Sequence, residues 1–375
     1  MMSDSELIDW LIANGGPTIK YRTITELAVN TPIPDGLIDE LLQVKRIDTL
    51  LHRLDSYEPM QTVNTRVLNT VHTGTGVEGI VSKLIELGLK AGIPEFDSRM
   101  QVFRQYVDNE FVKLALSGPA GQNSSYNQAA FIAVLIASFF VHARYEYEEI
   151  TSFITERINS LYKLASERQL NIHLSEAELA ALPKRPKCWS NNPVIRPEMD
   201  PMCSEKPLPL IHDIFCLAFM PKKYLNEELQ RKIDAIIGYV MDERFQALPR
   251  GYGLLYCKFK RNYYACGWRP ELPCMNSFES EYDISILVLY TELMSCFSAA
   301  RKTEWFKNCI KYLEQFKTDK GTYCFPPSYI KEVKDMGYVC GMSMGLGENR
   351  RLLKAYEIES TFRMLLIKKR CGLIN

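Results

Sequence analysis

Apolar residues recur along most of the chain at the three- and four-residue spacing of amphipathic helices, and polar residues between them supply caps and breaks. Ser3 or Ser5 is placed to cap a first helix that puts Leu7, Trp10 and Leu11 on one face, and Asn14-Gly15-Gly16 closes it. Pro17 then stands at a first-turn position, where a missing N–H costs nothing, and Ile19, Ile24 and Leu27 carry the spacing onward. Leu37, Leu41, Val44, Ile47 and Leu51 continue it, so the pattern predicts three helices before residue 55.

Beyond that point the helices come in pairs joined by short turns. A helix from Val77 to Leu89 reaches a Gly92-Ile93-Pro94 turn and a second helix. Gln128 to Arg144 is followed by Glu148 to Ser166, and Glu227 to Met241 stands after a long irregular stretch. Tyr282 to Arg301 is followed by Thr303 to Lys317, and a long helix from Glu348 to Lys369 carries Leu352, Leu353, Tyr356, Phe362, Leu365 and Leu366. Period-two alternation is confined to short pieces at Leu254 to Phe259 and Thr322 to Phe325. The fold class is therefore all-α, with minor β-hairpin or irregular pieces. Seven of the 19 prolines fall between Pro183 and Pro209, where each ring removes a donor and clashes with the preceding turn. That stretch reads as a crossing segment within a single domain over 1–375.

Composition narrows the function classes. Lysine plus arginine equals aspartate plus glutamate at 45 each, so no global field favours a nucleic acid. The eleven cysteines, an odd number, all lie at or after Cys188 and form no C-x-x-C pair, which suits a reduced, cytoplasmic protein. The start MMSDSELIDWLIANGG lacks a basic leader and reads as a helix. The most apolar run, Ala129 to Val141, is too short to span a bilayer and reads as a buried helix.

Two stretches carry a resemblance. WLIANGGPTIKYRTITELA, from Trp10 to Ala28, resembles the opening helix pair of bacterial proteins with repeats like those of squalene cyclases and protein prenyltransferase β-subunits. FKNCIKYLEQFKTDKGTYCFPP, from Phe306 to Pro327, resembles a degraded copy of that repeat, with Gln315, Gly321 and Tyr323 in the glutamine, glycine and aromatic positions. The glutamine-to-glycine gap is two residues longer than usual, and tyrosine replaces tryptophan. The resemblance implies an α/α toroid, an inner ring of helices inside an outer ring, with a ligand cavity at the mouth. The catalytic marks are missing: no Asp-x-Asp-Asp occurs, and no Asp, Cys and His set matches the prenyltransferase zinc site.

The candidate chemistry concentrates between Gly251 and Arg301. Tyr256, Lys260, Arg261, Tyr264, Trp268 and Arg269 combine aromatic walls with fixed cations, as an apolar ligand with a diphosphate would require. Glu279 and Asp283, four apart around a helix start, form a carboxylate pair able to share a proton and act as a general acid. Carboxylates there equally complement the helix dipole, and the aromatic run equally reads as a covered core rim. Gly74-Thr75-Gly76-Val77-Glu78-Gly79 matches a pyrophosphate-binding pattern without the strand that should precede it. His212 and Cys216 have the spacing of two metal ligands on one helix, with Cys188, Cys203, Cys257, Cys266 or Cys274 open as partners. The sequence calls for no cofactor and leaves zinc or magnesium open. Two functions follow as expectations: a terpenoid cyclase-like or prenyltransferase-like protein whose apolar cavity binds an isoprenoid, with Glu279 or Asp283 as acid, or a non-catalytic helical scaffold for a protein or peptide.

Overall fold

The computed structural model describes residues 1–56, 76–107, 125–201, 204–249, 251–258, 261–333 and 337–374. They are predominantly helical with one two-stranded antiparallel sheet. Two compact units are formed, one from Met1–Val102 with Leu272–Asn375 and one from Phe103–Glu271. Among the described residues, no helix is long and apolar enough to cross a membrane.

The first unit is discontinuous in sequence. Its opening helix, Asp4–Asn14, is capped by Ser3, whose hydroxyl and backbone N–H close a capping box with Glu6. Leu7 and Leu11 face Ile358, Phe362, Leu365 and Leu366 of the Leu353–Arg370 helix in one buried cluster. Lys354 donates to Asn14 at 2.9 Å, and Lys368 lies 3.9 Å from Asp4, so the two helices run antiparallel. Pro17–Arg22 starts at the expected proline and passes into a π turn, Thr23–Leu27. The next apolar run breaks at Gln43 and Val44 into Leu37–Leu42 and Lys45–Leu54, which makes four helices before residue 55 where the spacing alone gave three.

The later expectations for this unit also shorten. The helix over 282–301 is two pieces, Glu281–Met294 and Ser298–Arg301, and the one over 303–317 is Glu304–Leu313 with a 3-10 turn. The long helix begins at Leu353 rather than Glu348, because the backbone before it is bound by side chains. The Leu346 N–H donates to Glu359 and the Gly345 N–H to Glu332, each at 2.7 Å. Leu352 and Leu353 are accordingly exposed rather than packed. Residues 322–325 are extended, with a single bridge to Lys317, and lie on the long helix through hydrogen bonds to Ser360 and Thr361.

The second unit is built from two helical hairpins. Ser125–His142 and Glu148–Glu167 form the first, and Ile211–Phe219 and Glu227–Val240 the second. His212 meets Phe131, Cys216 reaches the Val134 carbonyl and Phe219 stacks on His142, so the first helices of the hairpins run parallel. The second helices do the same: Lys232 donates to Asn159 at 2.8 Å and Tyr239 to the Gln169 carbonyl at 2.6 Å. Arg157 ties the hairpins together through both Asp213 oxygens at 2.9 Å.

The proline-rich segment lies within this unit, and its described residues form no α-helix, only irregular backbone with two 3-10 turns, Lys187–Trp189 and Pro197–Met199. Val194 and Ile195 bridge to the sheet edge and to His173, and the Pro193 carbonyl accepts the Leu254 N–H at 2.8 Å. The sheet itself pairs Gly253–Cys257 with Asn262–Cys266, in the register Gly253 to Cys266 and Cys257 to Asn262. It stands where alternation was read at 254–259, though its second strand carried no such signal.

Candidate functional site

The aromatic and basic run is bound up in the second unit rather than spread along one wall. Tyr252 and Tyr263 spend their hydroxyls on the proline segment, donating to the Pro209 and Pro183 carbonyls at 2.5 and 2.6 Å. Burial pushes the Tyr252 phenol well above its ordinary value, so it remains a donor. Tyr256 packs beside Tyr263, with ring centroids 5.0 Å apart, against the Val194 and Leu254 cluster. Tyr264 is half-buried and pairs with Leu255 across the sheet.

Trp268 has a φ of +69°, stacks on Phe131 and meets His212 edge-on. Its carbonyl accepts the Ile211 N–H at 2.8 Å, so the residue fixes the start of the second hairpin. Arg269 is buried; its guanidinium donates to the Phe245 carbonyl at 3.0 Å and stands 3.5 Å from Glu271. Arg261 is exposed in the turn of the sheet, and Lys260 lies outside the described residues.

Glu279 and Asp283 belong to the first unit. Ser280 caps the Glu281–Met294 helix by accepting the Asp283 N–H, and Glu279 is exposed beside it. Asp283 turns back to accept the Cys274 N–H at 3.0 Å, where Cys274 has a φ of +56°. The loop is fastened twice more: the Pro273 carbonyl accepts from the Trp305 indole at 2.7 Å, and Phe278 stacks on Tyr312 at 4.1 Å. Asp283 therefore holds a left-handed turn in place. Asp283→Ala should lower stability by about 1 kcal/mol, and Glu279→Gln by nothing measurable, when their thermal midpoints are compared with that of the parent chain.

His212 and Cys216 are both buried on one helix, and burial raises the Cys216 thiol well above its usual range. Among the described residues, no three His, Cys, Asp or Glu side chains gather as a metal ion would need. Gly76 opens the Val77–Glu86 helix, while Gly74 and Thr75 lie outside the described residues.

The densest concentration of charge is one the sequence reading passed over. At the heart of the first unit Arg363, fully buried, donates to Glu292 at 2.7 Å, to the Met344 carbonyl at 2.6 Å and to Glu86. Arg22 donates to the Glu86 carbonyl at 2.9 Å and grips Glu26, and Arg370 donates to the Glu292 carbonyl at 2.9 Å. Burial works against the Glu86 charge, yet Arg363 and Arg22 hold its carboxyl well below the usual carboxylate range, helped by the Tyr338 hydroxyl.

Beside this cluster Lys83, also buried, uses its three donors on Glu332 at 2.7 Å, the Ser343 carbonyl at 3.2 Å and the Gly345 carbonyl at 2.6 Å. Burial lowers its pKa despite Glu332. The segment from Tyr338 to Arg350 is thus strapped down by charged side chains as well as by a short backbone pairing, in which Met342 accepts the Val333 N–H and Met344 donates to the Lys331 carbonyl, each at 2.7 Å. Gly341 serves the strap, since a Cβ there would stand 2.4 Å from the Ser285 carbonyl.

No family model matches the chain, and no curated protein or solved structure matches it either.

Two polar clefts open on the second unit. One, of about 560 Å³, runs along the parallel Glu148–Glu167 and Glu227–Val240 helices and is lined by Glu148, Thr151, Thr155, Glu156, Asn159 and Tyr224, among others. The other, of about 540 Å³, is lined by Gln169, Asn171, Arg196, Glu198 and Lys206, among others.

Proposed function

We propose that this protein is a helical scaffold that binds a peptide or protein segment, its stacked hairpins belonging to an α/α array of the toroid kind. The observation that carries the reading is the trough between the two parallel second helices, about three turns long on the first of them, from Glu148 to Asn159, and lined by hydroxyls, amides and carboxylates. Parallel stacking of successive hairpins produces such extended grooves in helical arrays. Lys232, the cation in this trough, is already bound by Glu228 and Asn159, which leaves Glu148 and Glu156 to meet an incoming basic side chain. The Gly321 turn, with φ +98° ahead of a fully buried Tyr323, supports kinship with the repeat that the sequence resembles.

The carbocation reading fits the geometry less well. An acid that starts such chemistry works in a dry enclosure, whereas Glu279 faces water and Asp283 holds a turn. Arg269 has a carbonyl and a carboxylate as partners already.

Selection of peptides from a random display library on the full chain tests the proposal. Enrichment of sequences rich in lysine and arginine is expected, with binding reduced at least about tenfold by Glu148→Lys with Glu156→Lys, a loss of about 1.4 kcal/mol. Absence of any enriched peptide, or binding indifferent to that double variant, would overturn it. Turnover of a prenyl diphosphate that disappears in Asp283→Asn would establish the enzymatic reading instead.

A further inference from the structure

Charge is spread unevenly over the second unit, although the chain as a whole carries equal numbers of acidic and basic residues. Pro183-Lys184-Arg185-Pro186-Lys187 places three cations in five residues. Lys184 and Lys187 are exposed, and none of the three cations is ion-paired among the described residues. The segment itself is held still. Tyr263 donates to the Pro183 carbonyl and Arg185 to the Asn192 carbonyl, each at 2.6 Å. Leu182 and Trp189, on either side, pack against the Val194, Leu254 and Tyr263 cluster. A segment fastened in this way loses little further freedom when it binds.

The trough carries the opposite sign. Glu148 and Glu156 are exposed along it, and neither is ion-paired among the described residues. The spans also agree. Eight helical residues separate the two carboxylates by about 12 Å along the axis. Lys184 and Lys187 are three residues apart, and Pro186, at φ −50° and ψ 145°, keeps the backbone between them open, for a span of about 9 Å at the polyproline rise. The flexible four-carbon stems of the lysines cover the difference.

Resting on the reading of the trough as a site for basic segments, we propose that its occupant is a second copy of this chain, whose residues 183–187 lie in the trough of the first. The contact is head-to-tail, since trough and basic segment are different patches of one surface, and it builds open chains or closed rings of copies. Equal numbers of acidic and basic residues leave no net repulsion to oppose it. Exposed charge pairs are individually weak, so the assembly forms at high concentration and comes apart in salt.

Light scattering on the full chain at low ionic strength should show the mean mass rising as concentration goes from about 10 μM to about 1 mM. Salt at about 1 M should return it to the monomer. Lys184→Glu with Lys187→Glu, and Glu148→Lys with Glu156→Lys, should each weaken association at least about tenfold. An equimolar mixture of the two double variants should recover it, because each offers the charges that the other lacks. Circular dichroism identifies folded variants, and the salt series on the parent chain decides the matter where a variant folds poorly. A parent chain that stays monomeric, association that salt leaves unchanged, or a mixture of folded variants no better than its components would overturn the proposal. If selected basic peptides still bind a monomeric chain, this inference alone falls; if none binds, the reading of the trough falls with it.

Discussion

Arg363→Met is expected to destabilise the protein by about 3–5 kcal/mol, the cost of leaving buried charges without their partner. Arg363 is fully buried, and its removal leaves the buried Glu86 with only Arg22, at 3.4 Å, and the buried Glu292 with only Arg370, at 3.6 Å, as ion-pair partners among the described residues, and leaves the Met344 carbonyl without its donor. The loss should depend on pH in a definite direction. In the parent chain Glu86 has a folded-state pKa below its ordinary value of 4.5, so the stability it contributes is full above that value and lost as pH falls. Without Arg363 the largest opposing influence is gone and burial drives the carboxyl upward. The variant then loses stability as pH rises instead. Urea midpoints at neutral pH and near pH 4 should show a wide gap between parent and variant that narrows in acid. A gap below about 1 kcal/mol at neutral pH, or one that does not change with pH, would show that the cluster holds little of the fold.

Gly253→Ala is expected to cost about 2–4 kcal/mol, from a strained backbone and an overpacked contact. Gly253 has a φ of +109°, which an L side chain rarely adopts, and a Cβ would lie 2.4 Å from the Pro193 carbonyl. That carbonyl accepts the Leu254 N–H and so joins the proline segment to the sheet. The new methyl would force the two apart. Gly238→Ala, in the Glu227–Val240 helix with nothing within 4 Å of the added Cβ, should raise stability by about 0.5–1 kcal/mol, since glycine is a poor helix residue. Thermal unfolding of the two variants beside the parent reads both signs at once, and equal effects would refute the steric account.

Most of the helices were legible because their signals are local. Ser3 with Glu6, Pro17 and the spacing of Leu7 and Leu11 need only near neighbours to act. What escaped was decided by distant partners. Glu348 looks like a helix residue in sequence, yet its carboxylate accepts the Gly16 N–H at 2.6 Å, and Glu359 accepts the Leu346 N–H just before it. The second strand, Asn262–Cys266, was hidden because its pairing partner and the proline segment define it more than its own pattern does.

The candidate site was legible in composition only. A run of tyrosines, arginines and a tryptophan says that rings and cations are near one another, and cannot say that Tyr252 and Tyr263 serve proline carbonyls. Asp283 stands near a helix start, as its position in the sequence suggests, but its bond to Cys274 depends on a left-handed turn that the sequence does not announce. The buried charges did leave a trace. Lys83 and Glu86 interrupt the apolar helix Val77–Glu86, and Arg363 stands alone in TFRMLLI, where a solvent-facing charge would be out of place.

The central arginine draws its carboxylate partners from before and after residues 103–271 in the sequence, since Glu86 precedes that stretch and Glu292 follows it. Synthesis therefore delivers Glu86, with Arg22 as its early partner, long before the second guanidinium that completes its pairing exists. The contiguous unit can mature on the ribosome, while the flanking helices wait, charged faces hydrated, for residue 363 to emerge. A nascent chain halted before that point would present an acid-and-base-lined opening to chaperones and proteases, and its closure marks the moment the earlier helices become a folded body.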